Sequence, residues 1–259
     1  MNLNLKGKTV LITGGSSGIG AAAARVFAKE GCNIRLVAAD GQALEAVCEE
    51  IRELYGTEVS AIPLDLRDAD AIRDLAGMNS DIDILVNDTA DAVEIPSAPL
   101  SESDEETLQD ALAAKVSGYI TLTRHFYGHM KYRGHGVIVN NIGVANELPD
   151  ADSATRSACN AGLMAFTTTI GGKSLADNIR VVGIDPGQVN TERFRQARNA
   201  ALERKFGAQP GFSMMLAHTS PHRISQPQEI ADMIVFAASD RCGSLSGSII
   251  TVDGGMSAA

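Results

Sequence analysis

The chain has 259 residues, 44% hydrophobic and 21% charged, enough apolar sequence for one substantial buried core. A formal net charge of -10 argues against nonspecific nucleic acid or an anionic membrane as partner, because nothing in the balance offsets repulsion from phosphate. Cys32, Cys48, Cys159 and Cys242 are scattered without a CxxC pair, which suggests neither a disulfide framework nor a zinc site; with no signal-like apolar core in Met1–Lys8 and no run of membrane-spanning length, a reducing cytoplasm is the expected location.

Lys8 to Ile12 reads as a buried strand, and it runs into Thr13-Gly14-Gly15-Ser16-Ser17-Gly18-Ile19-Gly20. A helical stretch to Glu30 follows, with Ile19, Ala23, Val26 and Phe27 on one face. Strand, glycine turn and helix together form a phosphate cradle: bare backbone approaches the ligand, and the helix N-terminus offers N–H groups and positive potential. The alternative is a tight turn and nothing more; the flanking elements favour nucleotide binding.

Asn33 to Ala38 predicts a second strand, and Gly41 to Tyr55 an amphipathic helix carrying Leu44, Val47, Ile51 and Leu54. A third strand spans Val59 to Leu64 and ends at Asp65. A short helix covers Ala69 to Ala76, and Ile82 to Asn87 is a fourth strand. Asp91 to Leu100, with two prolines, reads as a loop. Ser103 and Glu106 have capping-box spacing and open a helix running to about Met130. Val137 to Asn140 is a strand, Ser153 to Leu175 a long helix, and Ile179 to Ile184 a strand. Pro227 opens a last helix to Ser239, and Ser248 to Val252 is the seventh strand. Strands alternating with helices predict one α/β domain over 1–259, a doubly wound, Rossmann-type parallel sheet of seven strands covered by helices on both faces. The irregular segment at about 190–225, rich in Arg, Met and Phe, suits a substrate lid or an oligomer contact.

The chain resembles the short-chain dehydrogenase/reductase family over essentially its full length. The resemblance rests on TGGSSGIG at 13–20, Asp65-Leu66 at a strand end, Pro186-Gly187 with Thr191 after the sixth strand, and Val252-Asp253-Gly254-Gly255 near the end. Within the family it is similar to β-ketoacyl-carrier-protein reductases. The resemblance implies NAD or NADP as cofactor, held by Gly14, Ser16, Ser17, Gly18, Ile19, Asp40, Asp65, Leu66, Asn87, Pro186, Gly187 and Thr191. It assigns Asp65 to the adenine edge, where the other reading is a helix cap, and Thr191 to the nicotinamide amide. Asp40 follows the second strand, where a carboxylate would accept from a free 2′-hydroxyl, so it favours NAD. Asn87-Asp88-Thr89-Ala90 keeps the first residue of the family's Asn-Asn-Ala-Gly and loses the glycine, which would tighten the backbone's approach to the cofactor. The family also implies a homotetramer or homodimer and a small-molecule carbonyl or alcohol substrate.

The catalytic positions depart from the family. Its Ser, Tyr, Lys and Asn fall on Gly143, Arg156, Asn160 and Lys115, and the separation 156 − 143 = 13 keeps the Ser-to-Tyr register. A guanidinium does not exchange a proton near neutrality, Asn160 supplies no charge, and Gly143 has no hydroxyl. Loss of a positioned acid forfeits a factor of roughly a hundred or more. One reading makes Lys115 the replacement cation, with Tyr119 or Ser153 supplying the hydroxyl. Leu108, Leu112, Lys115, Tyr119, Leu122 and Phe126 form one helical stripe, which favours the alternative that Tyr119 is a core aromatic. A second reading sets Arg156 and Asn160 in a pocket for an anionic substrate; pairing of Arg156 with Asp150 or Asp152 is the structural alternative. Three functions follow: an oxidoreductase with a non-standard proton donor, a silent NAD(P)-binding sensor or regulatory protein, or an enzyme of another type using the same cleft. The five histidines suggest no metal site.

Overall fold

The structure is a computed structural model in which residues 1–88, 105–143, 154–196, 199 and 224–258 are described. Seven parallel strands form one sheet in the order β3-β2-β1-β4-β5-β6-β7. They are β1 (Thr9–Thr13), β2 (Asn33–Ala38), β3 (Val59–Pro63), β4 (Ile84–Asn87), β5 (Gly136–Asn141), β6 (Ile179–Pro186) and β7 (Ile249–Val252). The helices are α1 (Gly18–Lys29), α2 (Gly41–Tyr55), α3 (Ala69–Met78), α4 (Glu105–Ala111), α5 (Gly118–Arg133), α6 (Ala154–Ser174) and α7 (Pro227–Ala238). The expected doubly wound α/β fold is the one observed.

Burial on both faces explains the unbroken apolar strands. In β1, Val10 and Ile12 join a core with Phe27, Leu44, Ile51 and Ile234, while Leu11 between them points to the other core, with Ile72, Leu122, Phe126 and Ile138. The chain reverses its direction of growth between β1 and β4, and the crevice at the carboxyl ends of those strands is where open α/β sheets bind ligands.

Local chemistry sets the helix boundaries. Asp40 caps α2 through Ala43 N–H at 3.0 Å, and Asp68 caps α3 through the Asp70 and Ala71 N–H groups, both at 3.0 Å. Pro227 opens α7, with the Glu229 carboxylate accepting from Gln226 N–H at 2.8 Å. The far end of α7 is held by Arg180, 7% exposed within β6, whose guanidinium donates to the carbonyls of Ala237, Ala238 and Ser239 at 2.6–2.9 Å.

The long helix expected from 103 to 130 is interrupted. Leu112–Ser117 is a π turn, in which Gly118 N–H reaches back five residues to the Ala113 carbonyl. The inserted residue rotates everything before it by about 100° relative to α5. The single stripe expected through Leu112 therefore fails: Leu112 is 41% exposed, and Ala111 and Ala114 are buried in its stead. Ser103, the expected cap, lies outside the described residues.

Candidate functional site

The carboxyl end of β1 enters the glycine turn at Gly14, whose φ of 65° lies in the left-handed region, as does the 54° of Gly18 at the start of α1. A Cβ on Gly20 would stand 2.3 Å from the Gly14 carbonyl oxygen, so the first turn of α1 lies directly against the loop. No acidic residue occupies that first helical turn, which leaves the positive helix end suited to an anion. Ser16 is half-buried, Ser17 exposed, and Ile19 buried beneath them. Thr191 closes over this turn: its methyl group is 3.3 Å from the position of a Cβ on Gly18, and its hydroxyl accepts from Phe194 N–H at 3.1 Å. Gly187 N–H donates to Val252 at 3.2 Å, and a Cβ there would meet Asp253 at 2.7 Å. The segments at 13–20 and 186–191, far apart in sequence, thus share one rim.

A buried polar ladder runs along the same rim. Asn87 donates to Asn140 Oδ1 and Asn140 to Thr167 Oγ1, both at 2.8 Å. Asp88 N–H donates to Thr13 Oγ1, and Asn141 donates to Asp88 Oδ1, both at 2.9 Å. Asn87 Oδ1 and Gln188 Oε1 are buried acceptors without a partner among the described residues. Of this ladder only Asn87 is identified by sequence motif. Asp88, Asn140 and Asn141 carry a weaker signal, polar residues clustered at the ends of otherwise apolar strands.

Four expected cofactor contacts already have places in the structure. Asp40 caps α2, its carboxylate otherwise exposed. Asp65 is not a helix cap, since Asp68 takes that role. Its carboxylate accepts from Arg67 N–H at 2.9 Å and from the Arg67 guanidinium at 2.6–3.1 Å, which holds it below the usual carboxylate range. Arg67 also reaches Asp110 on α4 at 2.9 Å. The Leu66 side chain, 4% exposed, belongs to the core. Pro186 ends β6.

The positions expected to carry chemistry converge on the Ile142–Gly143 peptide. Lys115, half-buried in the π turn, donates from Nζ to the Ile142 carbonyl at 2.6 Å. Burial pushes its ammonium down to about 8. Cys159 and Asp88 oppose that shift, and Arg156 and Arg193 add to it. Gly143 has φ of 107°, and a Cβ there would be 3.1 Å from Asn160 Nδ2. Asn160, Leu163 and Thr167 form one buried face of α6, and Arg156 is half-buried one turn before Asn160. Tyr119 takes the core position: it is 1% exposed, packs with Ile142 and Leu163, and donates to the Asn141 carbonyl at 2.9 Å. That hydroxyl, expected to serve as a donor to substrate, is directed to backbone inside the protein. Ser153, Asp150, Asp152 and most of the 190–225 segment lie outside the described residues. Arg193, which sequence motifs do not single out, stands close enough to influence Lys115. Among the described residues no group of three or more His, Cys, Asp or Glu side chains is arranged to hold a metal, and no helix is long and apolar enough to cross a membrane.

Residues 8–202 match the family described as short chain dehydrogenase. An uncharacterized oxidoreductase of Thermotoga maritima is 30% identical over 257 residues, covering 99% of this chain and 100% of that one. A 3-oxoacyl-acyl-carrier-protein reductase of Aquifex aeolicus is 26% identical over 260 residues, covering 99% and 100%. The L-sorbose reductase of Gluconobacter frateurii, solved with NADPH and L-sorbose, has a TM-score of 0.89 at 29% identity over 100% of both chains. With the sheet order, the glycine turn at its switch point and these similarities taken together, the chain belongs to the short-chain dehydrogenase family.

Proposed function

We propose that the protein is an NAD(P)-dependent oxidoreductase that interconverts a carbonyl and an alcohol on a small molecule carrying an anionic group. The observation that carries this reading is the glycine turn at the β1–β4 switch point with Thr191 closed over it. A backbone cradle with no room for a Cβ at Gly20 fits a pyrophosphate, and the orphan acceptor of Asn87 fits a donor-bearing ligand edge. Gly14, Ser16, Ser17, Gly18 and Ile19 would hold the pyrophosphate, Asp65 and Leu66 the adenine side, and Asn87, Pro186, Gly187 and Thr191 the nicotinamide side. The cofactor supplies hydride chemistry when bound; the L-sorbose reductase was solved with such a cofactor. Asp40 keeps one carboxylate oxygen beyond its capping bond, and this supports NAD over NADP. The mutual influence of Lys115, Arg156 and Arg193 supports the anionic group on the substrate.

Titration of the purified protein with NADH and NADPH, read by nicotinamide fluorescence, tests the first step. NADH is expected to bind more tightly, and Gly20→Ala to weaken binding by more than about tenfold, since its Cβ would collide with backbone. Binding of neither nucleotide would remove the proposal. Turnover across a panel of carbonyls, acidic ones included, tests the second step. Tight binding with no turnover on any member is the outcome a silent sensor would give.

A further inference from the structure

We propose that Lys115 is the proton donor of this site: its ammonium, held on the Ile142 carbonyl beside the side-chain-free Gly143, hydrogen-bonds the substrate carbonyl oxygen and protonates it as the alkoxide forms. The proposal rests on the oxidoreductase reading and names the acid it needs.

Position comes first. Lys115 lies within the π turn, and its Nζ bonds the Ile142 carbonyl at 2.6 Å, one residue past the carboxyl end of β5. That places the ammonium at the end of the sheet where Asn87, Asp88 and Asn141 stand. An ammonium has three N–H donors, and the Ile142 carbonyl takes one. Beside it Gly143 contributes no side chain, and Asn160 Nδ2 lies 3.1 Å from where a Cβ on Gly143 would stand. A carbonyl oxygen entering here would meet a cation, which stabilises developing negative charge.

Chemistry then discriminates among the neighbours. A guanidinium is a poor proton donor near neutrality, which sets Arg156 and Arg193 aside. Tyr119 is committed to the Asn141 carbonyl inside the core. Burial pushes the Cys159 thiol up, so it remains a thiol and a poor acid. Lys115 alone among these combines access to the rim with an acidity brought toward neutrality: its pKa is lowered to about 8, chiefly by burial and in part by Arg156 and Arg193, against the opposite pull of Cys159 and Asp88.

The step balances. In the reducing direction the substrate carbon takes a hydride from a reduced nicotinamide, the C=O π pair moves onto oxygen, and that oxygen takes a proton from Nζ. The amine is left neutral and is reprotonated from solvent. In the oxidising direction the neutral amine accepts the hydroxyl proton.

Two measurements decide the matter. In cofactor-free protein labelled with 13C-lysine, the Cε resonance missing from the Lys115→Arg spectrum should titrate with a midpoint near 8; a midpoint near the ordinary lysine value of 10.5 overturns the proposal. On a carbonyl that the wild type reduces, kcat/KM should fall about tenfold per pH unit above about 8. Lys115→Arg and Lys115→Met should each lose at least about a hundredfold while binding NADH within twofold of wild type. Circular dichroism verifies that both variants are folded. Wild-type turnover that survives Lys115→Met overturns the role of Lys115 and leaves the oxidoreductase reading standing. A wild type that binds nucleotide and reduces nothing in the panel overturns that reading and this proposal with it.

Discussion

Arg180 and Lys115 are both cations drawn out of water, and their partners separate structure from chemistry. Arg180 meets three carbonyls at the end of α7, where the helix dipole also favours positive charge. Replacing it with methionine keeps much of the volume and orphans those acceptors. Arg180→Met is expected to cost about 3 kcal/mol in urea denaturation without changing nucleotide affinity. Lys115 meets a single carbonyl, that of Ile142, at the end of β5. A charge inside an apolar run is visible in sequence for Arg180, as in Ile179-Arg180-Val181-Val182, and inside an apolar stripe for Lys115. Nothing in either run says which will be saturated by backbone. That depends on the end of α7 for one and on the end of β5 for the other.

At the scale of elements, the strands and most helices were legible because burial imposes a periodicity on sequence. The edges of β2, α2 and α6 lie within a residue of expectation, since each has a cap, a glycine or a change in polarity at its end. The π turn was not legible. It depends on how α4 and α5 pack against the chain leaving β3: a Cβ on Gly118 would be 3.2 Å from the Leu66 carbonyl oxygen, and Arg67 next to it reaches Asp110 on α4. These contacts join residue 66 to residue 118 and residue 67 to residue 110, pairs far apart in sequence, and appear in no local pattern. Gly118→Val should press α5 away from Leu66 and cost about 1–3 kcal/mol by overpacking, read as a lower midpoint in urea denaturation. The same displacement would move Lys115, so the pH dependence of turnover should shift with it.

Over the whole molecule, paired carboxylates tie the elements together. Arg25 holds Glu50 through two bonds of 2.6 and 2.8 Å between α1 and α2, and Arg35 holds Asp81 through two of 2.7 Å beneath the sheet. Each guanidinium keeps its carboxyl below the usual range, so the folded state binds that proton more weakly than the unfolded chain. The resulting stability is present above the ordinary carboxylate pKa of about 4 and is lost as pH falls through the lower folded value. All four groups are partly exposed, and salt screens the contribution. Melting temperature should be level between pH 5 and 7 and fall below about 4. The Arg25→Gln/Arg35→Gln double variant should melt lower than wild type at pH 7, with the gap narrowing as pH falls below the ordinary carboxylate value of about 4; a constant difference across that range would contradict this account.

The parallel α/β fold and the glycine turn at its switch point were legible in the residues alone, because hydrophobic period and glycine spacing act over a few residues. Counting along strand and helix set the expectation that Lys115, Gly143, Arg156 and Asn160 fall at one site, since that register is short enough to follow. What those residues face is set by the packing of distant elements. Tyr119 lies one turn from Lys115 in sequence, yet its hydroxyl closes on the Asn141 carbonyl while the ammonium closes on the Ile142 carbonyl. Asp65 turns to Arg67 and Asp40 to the start of α2, both through bonds that a motif does not reveal. Spacing along the chain sets which face a residue is on; whether that face meets core, carbonyl or crevice is settled by elements distant in sequence.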